Sequence, residues 1–137
     1  NSEDFLKAVE HKVFAEEFLK KRISYQSQFQ HQLKLLEDAI DALAFDSNRL
    51  FFVDASGDTR VVNDISRLNA HRAIVQTLFE QLKQSVHTEK WPDIQRTLEA
   101  HWIDLNALWH SIYEKEYVDQ LTNTKPASNS KKDLVSQ

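Results

Sequence analysis

One glycine in 137 residues, Gly57, and no glycine or proline anywhere in the first 45 positions leave this chain few ways to fold. Phosphate-binding loops, nucleophile elbows and tight sheet turns need residues free to take positive φ, which glycine adopts at no steric cost. Nucleotide-binding α/β folds are thereby excluded, and long uninterrupted helices are favoured. The length suits one ordinary domain with a real core and leaves no room for separate catalytic and regulatory modules. With 17 Lys and Arg against 21 Asp and Glu the net charge is -4, and the two signs are interspersed. That pattern lacks the basic stripe a nucleic-acid surface requires. The one dense basic run, Lys20-Lys21-Arg22, reads as a solvated helix face.

The chain has neither Cys nor Met. Disulfides, thiolate nucleophiles and cysteine-based metal sites are therefore absent together, and both a cytoplasmic and an extracytoplasmic location stay open, the cytoplasmic one being the simpler expectation. A start at Asn1 without any Met reads as a processed product or an excised piece. No run approaches the roughly 18 apolar residues of a membrane span, and no signal pattern opens the chain. Membrane attachment is expected only through a flanking segment.

Ser2 followed by Glu3 and Asp4 resembles an N-cap with an acidic first turn, so a long first helix is predicted from there. In its second half Phe29, Leu33, Leu36, Ile40 and Leu43 recur at steps of 4, 3, 4 and 3, keeping one apolar seam on one face as in a coiled coil. In its first half Phe5, Val9, Val13 or Phe14, and Phe18 step mostly by four, and Lys20 to Arg22 interrupt the stripe before Tyr25. A bend near residues 20–25 would let this half fold back as a fourth bundle member. Asp46, Ser47 and Asn48 favour side-chain to backbone bonds over helix continuation, which predicts a stop there. The run Leu50-Phe51-Phe52-Val53, the turn-like Asp54 to Asp58 and the pair Val61-Val62 then read as a small β-hairpin or extended insertion. A lone two-stranded ribbon is marginal in water, so its apolar residues are expected on the bundle or on another molecule.

Asn63 or Asp64 is the predicted cap of a second helix ending near His87, with Leu68, His71, Val75, Leu78 and Leu82 at steps of 3, 4, 3 and 4. Pro92 suits a first helical turn, so a third helix is predicted from near Trp91 to about Leu121. Its seam is Leu98, Trp102, Leu105, Trp109 and Ile112. From Thr122 the pattern gives way to a polar tail, expected to be mobile. The expectation is an all-α fold, an elongated antiparallel three-helix bundle with a long first helix. Residues 1–22 form an extension continuous with helix 1, residues 23–121 the bundle, and residues 122–137 the tail.

The third-helix stretch LEAHWIDLNALWHSI, with Leu105, Asn106 and Trp109, resembles the last helix of a spectrin repeat, where a seam Trp follows a Leu-Asn pair. The Leu68 and His71 spacing is similar to that of the family's second helix, and Phe29 with its successors fits the first. The resemblance covers roughly residues 25 to 121. Ile40 stands where the family usually carries a Trp, and the connection from Asp46 to Asn63 is longer than the family's link. The resemblance implies a structural or scaffolding role without catalysis, with residues 1–22 corresponding to the end of a preceding repeat's last helix.

Six histidines invite a metal reading. A di-iron bundle needs Glu-x-x-His pairs and a zinc protease helix needs His-Glu-x-x-His, and neither spacing occurs. Asp54, Ser56, Gly57 and Asp58 imitate a calcium loop, yet Thr59 and Ile65 stand where an EF-hand places its Gly and bidentate Glu. No Ser lies on a strand-to-helix elbow, so nucleophilic hydrolysis has no anchor. No enzyme activity, cofactor or metal is expected. The sequence points to a protein-association module working through a protein partner or self-association. Its contact elements are the N-terminal half-helix (Phe5, Val9, Phe14) and the 50–62 segment (Phe51, Phe52). Trp91, Tyr113 and Tyr117 are added as an exposed aromatic patch. The absence of Cys and Met and the Asn1 start suit equally an extracytoplasmic sensor or assembly domain of a bacterial membrane protein, and a third reading is a cytosolic chaperone for an exported helical protein.

Overall fold

The computed structural model describes residues 2–51 and 60–118, and every regular element among them is helical. Helix α1 spans Ser2–Phe51, α2 Arg60–Gln84 and α3 Trp91–Ile112, followed by a π-helical turn at Tyr113–Val118. At 1.5 Å per residue, α1 is about 75 Å long, roughly twice the length of either successor. No glycine or proline interrupts it, and it runs unbroken through residues 20–25. Three expectations for the region after it are corrected. Asp46, Ser47 and Asn48 do not end α1, which continues through Leu50 and Phe51. Val61 and Val62 lie inside α2, which starts at Arg60 and not at Asn63 or Asp64. The hairpin is therefore not seen. Leu50-Phe51 and Val61-Val62 instead continue the flanking helices, because each backbone group there gains an intrahelical partner that an isolated ribbon would leave to water. The predicted turn at 54–58 lies outside the described residues, as does the tail after Val118.

The core is a heptad device. Ile40, Leu68, Val75, Leu82, Leu98 and Leu105 are sealed from solvent, and each helix repeats its deepest side chains at intervals of seven, as in Leu68, Val75, Leu82 and in Leu98, Leu105, Ile112. From α1 the core takes Phe29, Leu33, Leu36, Ile40 and Leu43, the predicted seam without exception. The other two seams need adjustment. Phe79 is buried where His71 and Leu78 are only half-buried, and Trp102 and Trp109 sit at the edge of α3's seam with the sealed Leu105 between them. Indoles are too long for the narrow axis of three helices, so they lie across its flank and the shorter Leu side chains fill the centre.

Contacts between helices are ordered along their lengths. On α1, Arg22 meets Val86 and Thr88, Phe29 meets Phe79 with ring centroids 4.9 Å apart, and Asp41 meets Arg72 at 2.9 Å. Partners on α2 and the link after it thus fall in number as α1 rises. Towards α3 the order is the same in both helices, since Tyr25 reaches Trp91 and Glu99 while Phe29 reaches Trp102. The link between α2 and α3 is two successive turns, Ser85 N–H to Leu82 carbonyl and Thr88 N–H to Ser85 carbonyl. Thr88 Oγ1 donates to Ser85 carbonyl and accepts from Lys90 N–H, which ends α2 at Gln84, short of the predicted His87. Pro92 then stands in the first turn of α3, where its missing N–H costs nothing.

Candidate functional site

Arg22 marks the place where α1 leaves the bundle. Its Nη1 donates to the carbonyls of Val86 and Thr88, 2.8 Å each, so one guanidinium holds two carbonyls of the link that follows α2. The same group lies 5.1 Å from the Trp91 ring and 5.3 Å from the Phe18 ring, both within cation–π range. Behind it, Trp91 Nε1 donates to Gln26 Oε1 at 3.1 Å, and the Tyr25 hydroxyl donates to Glu99 Oε2 at 2.7 Å. Burial, with the Glu99 carboxylate second, pushes the Tyr25 phenol above its ordinary pKa. This polar collar fastens α1 to the end of the bundle. The expectation that Arg22 belongs to a solvated face is corrected, and a sequence signal for its role exists: it stands one heptad before Phe29, on the core side of the helix.

Beyond the collar, α1 carries no covering. Phe5 is 66% exposed, Leu6 57%, Val9 42%, Val13 53%, Phe14 65% and Phe18 47%. Soluble surfaces carry single exposed apolar residues routinely, but here six large ones crowd the first 18 positions of one helix as an exposed patch that winds around it. They do not form one stripe. A helix turns about 100° per residue, so each step of four drifts about 40° and Phe18 ends about 220° from Phe5. Phe5, Leu6, Val9 and Val13 share one side. Phe14 and Phe18 pair on the other, with centroids 5.4 Å apart, and with Leu19, Arg22, Val86 and His87 they line an open concavity of about 520 Å³ under the collar.

The remaining predicted contact residues divide. Trp91 is 6% exposed, so its reading as part of an exposed patch is corrected: the ring fills the end of the core and its N–H is already engaged. Tyr113 is half-buried, stacked 4.8 Å from Trp109, and packs against the core in place of standing out as a contact residue. Tyr117 lies in the π-helical turn and Phe51 at the end of α1, while Phe52 lies outside the described residues. Leu6 joins the patch without having been expected there. Nothing in its spacing separates it from a core residue until the end of the bundle is located.

Among the described residues no group of three or more His, Asp or Glu side chains is arranged to hold a metal ion, and no helix is long and apolar enough to cross a membrane. His71 is half-buried on the seam of α2, and His110 is exposed beside Trp109. No family model, curated protein or solved structure compared with this chain matches it.

Proposed function

We propose that this chain is a non-enzymatic protein-association module, an elongated antiparallel three-helix bundle from which the first half of α1 projects as a contact arm. The single observation that carries the reading is the contrast along one helix, with Phe5, Val9 and Phe14 open to solvent and Phe29, Ile40 and Leu43 buried. Exposed aromatic and aliphatic side chains on a free helix cost solubility, and a covering partner removes that cost. The up-down-up course of the helices is supported by the ordered pairings of Arg22, Phe29 and Asp41 with α2 and of Tyr25 and Phe29 with α3. The resemblance to a spectrin repeat belongs to the same reading, since a scaffold of such units transmits helices from one bundle into the next. Replacing Phe5, Val9 and Phe14 together by Ser tests it. The expected result is an unchanged unfolding midpoint together with loss of association, read as sedimentation mass and as retention of a purified partner. An unchanged association, or a collapse of bundle stability, would overturn it.

A further inference from the structure

The exposed arm carries a second heptad seam, out of phase with the core. Positions 5, 9, 12, 16, 19 and 23 step by 4, 3, 4, 3 and 4, and they hold Phe5, Val9, Lys12, Glu16, Leu19 and Ile23. At about 100° per residue they return to a stripe about 80° wide, centred about 100° to 120° round the helix from the Arg22 and Phe29 side that faces the bundle, with Lys12, Glu16 and Leu19 also on the rim of the concavity under the collar. Phe5, Val9, Lys12, Glu16 and Ile23 are exposed, and Leu19 is half-buried at the edge of the collar. Further along α1 the same stripe meets Ser27, Gln30 and Lys34, so the seam ends where the bundle begins.

This seam reads the same in both directions as a pattern of matching partners. Centred on position 14, an antiparallel second copy sets Phe5 against Ile23, Val9 against Leu19 and Lys12 against Glu16, and the dyad repeats all three. The spacing also meets the demand of antiparallel helices, in which the residue before a step of four faces the one after it. A parallel pair would set Lys12 on Lys12 and Glu16 on Glu16, and like charges at a seam reject that arrangement. We infer that the partner of the arm is a second copy of this chain, paired antiparallel over residues 5–23 with the Lys12 and Glu16 crossings fixing register and direction. The inference rests on the reading of the arm as a contact element and names what it contacts. It also explains why an otherwise apolar stripe holds one lysine and one glutamate at its middle: a polar pair at seam positions lowers stability and specifies orientation.

The contact is isologous, so it closes as a dimer and does not propagate. At about 28 Å of paired helix it is small, and the dimer is expected to dissociate on dilution through the micromolar range. Sedimentation equilibrium of the full chain at about 5 to 500 µM tests this, with charge reversals as the decisive arms. Lys12→Glu and Glu16→Lys are each expected to weaken pairing at least about tenfold, since each places like charges at both crossings. Mixing the two variants restores a one-to-one dimer, because one then carries acid at both seam positions and the other carries base at both, so each crossing again joins opposite charges. Lys7→Glu, a charge reversal at an exposed position on the opposite side of the arm, leaves the dimer intact, and circular dichroism confirms that all variants remain helical. The absence of cysteine allows a direction test: Val9→Cys mixed with Leu19→Cys forms an oxidised cross-link and Val9→Cys alone does not. A parent chain that stays monomeric throughout overturns the inference, as does a mixture of reversals that fails to pair or a cross-link by Val9→Cys alone. The wider association reading then still stands if the Phe5, Val9 and Phe14 variant loses a heterologous partner that the charge reversals retain.

Discussion

The two halves of α1 are one covalent rod with similar numbers of apolar residues and opposite fates. Between Phe29 and Leu43 every apolar residue at a step of three or four is buried, and between Phe5 and Phe18 every one is exposed. Composition does not separate them. The difference is the availability of a partner: α2, the link after it and α3 supply faces only up to Val86 and Trp91, and Arg22 closes that end. A helix face is a core when another helix lies against it and an exposed apolar surface when none does. Truncating Ile40 to Ala therefore costs about 3 kcal/mol or more, because a sealed side chain leaves a cavity. Phe5→Ala, a larger truncation on the same helix, changes stability by less than about 0.5 kcal/mol at concentrations where the chain is monomeric. Urea unfolding of the two variants measures this, and equal losses would erase the distinction between the halves.

The collar sharpens the comparison because it sets the boundary. Arg22→Ala removes a charged donor from two carbonyls and a cation from two rings, with an expected loss of about 1 to 2 kcal/mol. Arg22→Lys recovers only part of it, since an ammonium cannot lie flat on Trp91 while donating to both carbonyls. Amide exchange adds a readout that stability alone lacks. Residues 24–43 should keep slow exchange in the Arg22→Ala variant, and protection near residues 19–23 should fall towards that of the arm. Trp91→Phe follows with a smaller loss of about 1 kcal/mol, because the ring still fills the end of the core but Gln26 Oε1 loses its donor. A Trp91→Phe variant as stable as the parent would show that Gln26 finds water instead.

The bundle is legible in the sequence because its signal is local and periodic. Phe29 to Leu43, and Leu98, Leu105 and Ile112 at sevens, identify the buried face with no knowledge of what lies against it. The segment after Asp46 departs from expectation for the opposite reason. Ser, Asn and Asp are weak helix residues, but Leu50 and Phe51 lie within a helix already propagated from Ser2, where adding one more turn needs no new nucleus. Trp91 misleads because its position before Pro92 says helix start and nothing about depth. Only the Gln26 and Tyr25 side chains arriving from another helix show that the start is capped by the core. The arm is half legible. Its apolar residues are evident, yet steps of four wind around the helix, and the stripe at 5, 9, 12, 16, 19 and 23 becomes meaningful once its neighbours in the chain are known to turn elsewhere.

The smallest expected effect tests whether the collar is a fixed part of the bundle or a loose fringe of the arm. The Tyr25 phenol ionises near pH 10 in an unfolded chain. In the fold its pKa lies higher, through burial first and the neighbouring Glu99 carboxylate second. The unfolded chain therefore releases the proton first, so the stability contributed by this group is complete below about pH 10 and is lost as the pH rises from there towards the folded value. Tyr25→Phe removes the ionisation and keeps the ring beside Trp91, whose centroid lies 5.5 Å away. Near neutral pH the variant should lose about 0.5 kcal/mol, the worth of one exposed hydrogen bond. Above about pH 10 the parent should lose stability faster than the variant, narrowing or reversing that gap. Urea midpoints of the two proteins between about pH 8 and 11 show which holds. Curves that fall in parallel would mean that Tyr25 is as free as the residues of the arm, and the boundary between the halves of α1 would move from Arg22 towards Phe29.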